Sequence, residues 1–176
     1  MDEVNTTEPV ADSASSQADP ARHVVRHTLA TLAYRAAKAV REAPPEFGGF
    51  RVGNATRSPA EILAHMGDLM EWALTMAQDR TQWPDHPVQA WAEEEDRLFA
   101  GITALDRYLA SGAAVDRRVL LLLVQGPIAD ALTHTGQLTM LRRLANAPIR
   151  GESYQRALIA VGQTGPDQPP PQREFD

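Results

Sequence analysis

Residues 58–65 read Ser58-Pro59-Ala60-Glu61-Ile62-Leu63-Ala64-His65, and the order of residue types in that octet marks the start of a helix. A serine oxygen can accept from an N–H of the first turn, and proline fits the first helical position, where its missing N–H costs nothing. A glutamate three residues after the cap reaches back to the cap's own N–H. The helix opened this way carries an apolar stripe at Ile62, His65 or Met66, Leu69, Trp72 or Ala73, and Met76, the period of one helix face. It stops before Trp83-Pro84, with Pro87 beyond.

Working outward, Val25, Leu29, Leu32, Ala36 and Val40 recur at intervals of three and four and predict an earlier helix within residues 21–43, ended by Pro44, Pro45, Gly48 and Gly49. A third stripe follows at Val88, Trp91, Leu98, Ile102, Leu105 and Leu109, closed by Gly112. Gly126-Pro127 interrupts the stretch from Asp116 to Arg143, which predicts a short helix over the aliphatic run and a fourth main helix from Pro127 to Leu144. Pro148 blocks its continuation, and a last short helix is expected over Glu152 to Ile159. No segment has a period of two and no internal repeat is visible. The expected fold class is therefore all-α, a four-helix bundle with an irregular crossover between helices three and four.

Residues 1–20 are rich in Asp, Glu, Ser, Thr and Ala, lack aromatics and have neither the basic start nor the apolar run of a signal peptide; they are expected to be a disordered acidic tail, and the protein cytoplasmic. Residues 21–161 form the expected bundle. Residues 162–176, with Pro166, Pro169, Pro170 and Pro171, are expected to be an extended tail that neither continues a helix nor enters a sheet.

The formal net charge of −6 is carried almost wholly by Asp2, Glu3, Glu8, Asp12 and Asp19, so the remainder is close to neutral. Lys38 is the only lysine, and no basic run combines with aromatics, so nothing here suits a nucleic-acid backbone. The longest aliphatic run, Val119 to Val124, falls far short of the roughly 20 apolar residues needed to cross a bilayer. With no cysteine, disulfides, thiolate-bound zinc and thiol nucleophiles are excluded together, and any metal or catalytic chemistry must use nitrogen and oxygen.

Of the five histidines, His65 and His134 fall on apolar faces. His65 lies between Ile62 and Leu69, and His134 precedes Leu138 and Leu141 with Asp130 one turn before it. A carboxylate and an imidazole at i and i+4, joined by an imidazole from a facing helix, make a three-ligand set with open positions. The alternative stays open: a histidine on an apolar stripe is often a buried, hydrogen-bonded core residue, and Asp130 in a first turn also favours the helix dipole. His23 and His27 have ligand spacing but lie about 160–200° around the helix from the Val25 stripe, on the solvent side. His86 is a loop residue, Glu93 to Asp96 reads as a solvated face, and Met66, Met70 and Met76 as core. Gly136 costs its helix about 1 kcal/mol against alanine, which suggests a close approach by another segment. Gln137, three residues after His134, is placed to orient that imidazole.

The octet at 58–65 resembles the start of helix two in DinB-like (YfiT-type) proteins. Asp130-Ala131-Leu132-Thr133-His134-Thr135-Gly136-Gln137-Leu138, followed by Leu141-Arg142-Arg143-Leu144 and Pro148, resembles that family's "His, any, Gly, Gln" helix. The likeness spans residues 21–159. It implies a four-helix bundle holding a divalent metal, commonly nickel or zinc, on one histidine of helix two and two histidines of the last long helix. His65 and His134 match two of these positions. Asp130 takes the third, so this chain departs from the three-histidine pattern towards a two-histidine, one-carboxylate set suited to Zn, Ni, Fe or Mn. Characterised relatives of this kind include bacillithiol S-transferases and mycothiol-dependent maleylpyruvate isomerase. By that similarity the metal activates a low-molecular-weight thiol or water against a small-molecule substrate, with Arg142 or Arg143 meeting an anionic group. A helical bundle with exposed apolar edges is expected to form a homodimer, and the charge and hydropathy pattern predicts no contact with nucleic acid or membrane. A non-enzymatic binding or dimerisation module with a structural or absent metal is the competing expectation.

Overall fold

A computed structural model describes residues 19–84 and 86–175; the expected acidic tail lies, up to Ala18, outside the described residues. The described chain is mostly helical: α1 (Pro20–Val40), α2 (Pro59–Ala77), α3 (Trp91–Ala110), α4 (Arg117–Leu123) and α5 (Ala129–Leu144), with one small antiparallel pair, β1 (Gly151–Glu152) and β2 (Glu174–Phe175). No described helix is long and apolar enough to cross a membrane.

The helix starts follow the chemistry of their caps. The Asp19 carboxylate accepts from the Ala21 N–H at 3.0 Å. At α2 the reciprocal box is complete: the Ser58 N–H donates to Glu61 Oε2 at 2.8 Å and the Glu61 N–H to Ser58 Oγ at 3.3 Å. Trp91, not Val88, opens α3, and Val88 is exposed. Glu42 and Asp79, both with positive φ, turn the chain after α1 and α2.

Leu29 and Leu32 of α1, Leu63 and Met66 of α2, Leu98 and Ile102 of α3, and Leu120 and Leu123 of α4 are fully buried, one core stripe per helix. The α2–α3 packing is close enough to need glycine. A Cβ on Gly101 would stand 2.9 Å from the Met70 Cβ, and one on Gly67 would stand 2.8 Å from the Arg97 guanidinium carbon. Arg97 fills the gap between the helices, donating to Asp68 at 2.6 Å, to Glu94 at 2.8 Å and to the Ala64 carbonyl at 2.5 Å. Glu94 is thus buried, correcting the solvated reading of 93–96 at that one position. A buried carboxylate needs such a partner, and Arg97, three residues on, supplies it.

Three further expectations are corrected. Gly126-Pro127 does not end a helix: α4 passes into α5 through a π turn over Val124–Ile128 whose backbone stays helical at both joins. Proline has no N–H for the i−4 carbonyl, and a wide turn accommodates its ring without breaking the rod. No helix forms over 152–159; β1 and a short 3-10 turn, Tyr154–Arg156, stand there instead. The reason is Glu152. Its buried carboxylate accepts from the Tyr34 hydroxyl at 2.7 Å and Lys38 Nζ at 2.8 Å, which holds this segment extended against α1. Finally, the tail enters a sheet at its end, where Glu174 pairs with Glu152 and Phe175 with Gly151, and Lys38 reaches Glu174 at 2.6 Å. Its proline-rich part, 166–171, has no regular structure.

Candidate metal centre

The cap at Ser58 sets the phase of α2, so that Ile62 and Leu69 face the core while His65 stands at the core's edge. In α5, Ala131 and Leu138 anchor the buried face, and Asp130 and His134 follow one another along the helix on the side towards α2. The π turn just before Ala129 adds a residue to the rod, which changes the rotation of α5 relative to α4 and so takes part in setting which side chains face His65.

The three side chains predicted to share a site do come together. One ligand atom from each of His65, Asp130 and His134 lies within 4.8 Å of the others, an arrangement that could hold a metal ion, and no second such group of three occurs among the described residues. His65 Nε2 stands 3.3 Å from Asp130 Oδ2, and His134 Nε2 stands 3.5 Å from Asp130 Oδ1. The imidazoles are perpendicular, with centroids 4.9 Å apart. The His134 side chain is only 11% exposed, whereas that of Asp130 is 46% exposed, so the cluster is walled on one side and open to an approaching molecule on the other.

The second nitrogen of His134 decides the character of the cluster. Nδ1 stands 2.8 Å from Gln137 Oε1, an acceptor, so Nδ1 carries the hydrogen. A neutral His134 then points an Nε2 lone pair at a carboxylate oxygen. Two acceptors facing each other at 3.5 Å repel unless a proton or a cation lies between them. Two imidazoles and one carboxylate, with an open side, form a donor set that suits a divalent transition metal or zinc.

Aromatic rings shelter the other flank. Trp83 packs 5.8 Å from the His65 ring and is itself held by Trp72 at 5.4 Å. Sequence reading uses Trp83 only as part of a helix stop, and the Trp-Pro pair carries no signal that it returns to α2. Two grooves border the centre, one touching His65 and the other His134. One is polar, about 450 Å³, and includes His65, Asp68, Glu61 and His86; the other, about 500 Å³, is bordered by His134, Gln137 and aliphatic side chains; Thr56 and Arg57 line both. In the polar groove Arg51 donates to Glu61 at 2.5 Å and, with the Ser58 backbone, holds that carboxyl below its usual range. His86 pairs with Glu71 at 2.9 Å, away from the three candidate ligands.

Arg142 is not at the centre. It is 4% exposed and donates to the carbonyls of Ala147, Ala39, Arg41 and Glu42, tying the end of α1 to the end of α5. Those carbonyls are the unsatisfied acceptors of helix ends, which a guanidinium fork is shaped to meet. Gly136 is exposed, and a Cβ there would meet nothing within 4 Å, so no close approach explains it. No protein-family model matches this chain, and no curated protein or solved structure matches it either.

Proposed function

We propose that this protein is a divalent-metal-dependent enzyme, built on a four-helix bundle of the DinB-like kind, that acts on a small electrophile with a low-molecular-weight thiol or water as the attacking group. The observation that carries the reading is the convergence of His65, Asp130 and His134 from α2 and α5, with His134 Nε2 and an Asp130 carboxylate oxygen 3.5 Å apart. The sequence resemblance at 58–65 and 130–138 points to the same positions.

His65 Nε2, one Asp130 oxygen and His134 Nε2 would hold the ion, and when bound it would supply Lewis acidity that lowers the pKa of a thiol or water. The protein's own groups do the rest. Gln137 fixes the His134 proton on Nδ1 and so keeps Nε2 free as a donor of electrons. Trp83, backed by Trp72, keeps water from one flank of His65. The exposed side of Asp130 leaves the approach open.

The test is elemental analysis of tag-free protein after incubation with Zn, Ni, Mn and Fe(II), beside a His134→Ala variant, followed by thiol-dependent turnover of a model electrophile. About one equivalent of metal in the parent, lost in the variant, with turnover that depends on both thiol and metal, is the expected result. No retained metal in the parent would overturn the reading, and metal without thiol-dependent or hydrolytic turnover would reduce it to a binding centre.

A further inference from the structure

The aliphatic groove beside His134 says what kind of molecule the centre takes. Large hydrophobic side chains left exposed on a protein usually scatter; here Val52 (56% exposed), Met140 (58%) and Leu144 (50%) line one groove, floored by Ile62 and Leu141. Its volume of about 500 Å³ fits a small molecule rather than a protein segment. His134 and Gln137 are part of the lining, so a molecule held in the groove lies against one of the candidate ligands.

The charge at the rim is specific. Most cationic side chains around the two grooves already have an acidic partner: Arg51 has Glu61, Arg97 has Asp68 and Glu94, and His86 has Glu71. Arg57 lines both grooves, is exposed, and among the described residues makes no hydrogen bond or ion pair. A guanidinium left open at the edge of an apolar groove has the fork geometry for a carboxylate or a similar oxyanion. The nearby carboxylate, Asp130, faces the two imidazoles and is committed to the ion in the proposed reading.

We infer that the substrate is a small amphiphilic organic anion, its apolar body lying on Val52, Met140 and Leu144 and its anionic group held by Arg57, which makes Arg57 a specificity-determining residue. This rests on the metal-centre reading for what happens to the molecule and not for its binding. Arg57 lies just outside the Ser58 cap, so the helix start that aims His65 into the cluster also fixes the point where the arginine leaves the chain.

Octanoate, octan-1-ol and octylamine serve as probes on the full chain, with binding read by calorimetry and by the methyl resonance of Met140, and zinc uptake measured on the same samples. Octanoate is expected to shift the Met140 methyl and to bind more tightly than octylamine. Arg57→Gln is expected to weaken octanoate by about tenfold, the loss of one charge-assisted contact, and to leave octan-1-ol unchanged. Val52→Ser, which removes apolar surface without adding charge, should weaken octanoate and octan-1-ol alike. Equal octanoate affinity in the parent and Arg57→Gln, or an unmoved Met140 methyl, overturns the inference. If zinc is retained in that case, the metal reading stands without it. If zinc does not bind but octanoate behaves as expected, the anion groove stands and the metal reading falls.

Discussion

Replacing Gln137 by leucine separates a built metal centre from three polar residues that happen to meet. Gln137 is exposed and its side chain's only hydrogen bond among the described residues is the 2.8 Å contact to His134 Nδ1. Leucine and glutamine have similar helix propensities, so stability should move by less than about 0.5 kcal/mol. What changes is the imidazole. Without an acceptor at Nδ1 the ring is free to exchange its hydrogen between the two nitrogens and to rotate, and the tautomer with its lone pair on Nε2 no longer dominates. Loss of such an outer partner costs about 10- to 100-fold in metal affinity, or about 1.4–2.7 kcal/mol. Competition for zinc against a chromogenic chelator measures that loss. Nitrogen-15 spectra of metal-free protein in alkaline buffer should show mainly the Nδ1–H form in the parent and a mixture in Gln137→Leu. Gln137→Glu, with a stronger acceptor, should move zinc affinity the other way. Affinity within twofold of the parent in the leucine variant, or an unchanged tautomer ratio, would refute the assignment of Gln137 as a positioning residue.

Gly136→Ala should stabilise the protein by about 1 kcal/mol, raising Tm by about 2–4 °C without altering zinc affinity, because a Cβ there meets nothing within 4 Å. Lys38→Met should cost about 3–5 kcal/mol in urea unfolding, because it strands the buried Glu152 carboxylate, and adding Glu152→Gln should recover part of that loss. The bonds to Glu152 and Glu174 outweigh burial and raise the Lys38 pKa, so this contribution is fully present below the ordinary lysine value and fades only as pH rises through the native one. Lys38 in turn lowers the Glu174 pKa, so that carboxylate's contribution is present above its ordinary value and is lost as pH falls through the lowered one. Arg142→Lys should cost about 2 kcal/mol, since a point ammonium cannot serve the carbonyls that the buried guanidinium spans, while zinc uptake stays at the parent level.

The parts of the molecule legible in the sequence are those whose causes are local. A cap, a proline at the first position and a glutamate three residues on specify the start of α2 within a few residues of chain, and the same phase carries His65 to the core's edge. Asp130 and His134 are one turn apart on one helix, so their shared face follows from the helical period alone. The meeting of α2 with α5 is not local. It is suggested by the polar residues sitting on otherwise apolar stripes, which is a reason to look for a partner without being a contact. Where a partner lies far along the chain, the local reading misleads. Glu152 looks like the start of a helix until Tyr34 and Lys38, more than a hundred residues earlier, take its carboxylate. Arg142 is expected at an anionic substrate group until the carbonyls at the end of α1 arrive to occupy it.

Gly126-Pro127 shows the same limit from the other side. Both residues are poor helix formers, and taken alone they end a helix. The structure keeps the rod continuous because its two halves are each fixed by burial, Leu120 and Leu123 before the turn and Ala131, Leu138 and Leu141 after it. An unbroken α-helix advances 100° per residue and could satisfy those two sets only if they shared one phase. The extra residue of the π turn lets them differ, and Pro127, which has no N–H to lose, is a low-cost residue to place within it. The pair that reads as a stop signal is therefore better understood as a phase adjustment, placed three residues before the first candidate ligand of α5.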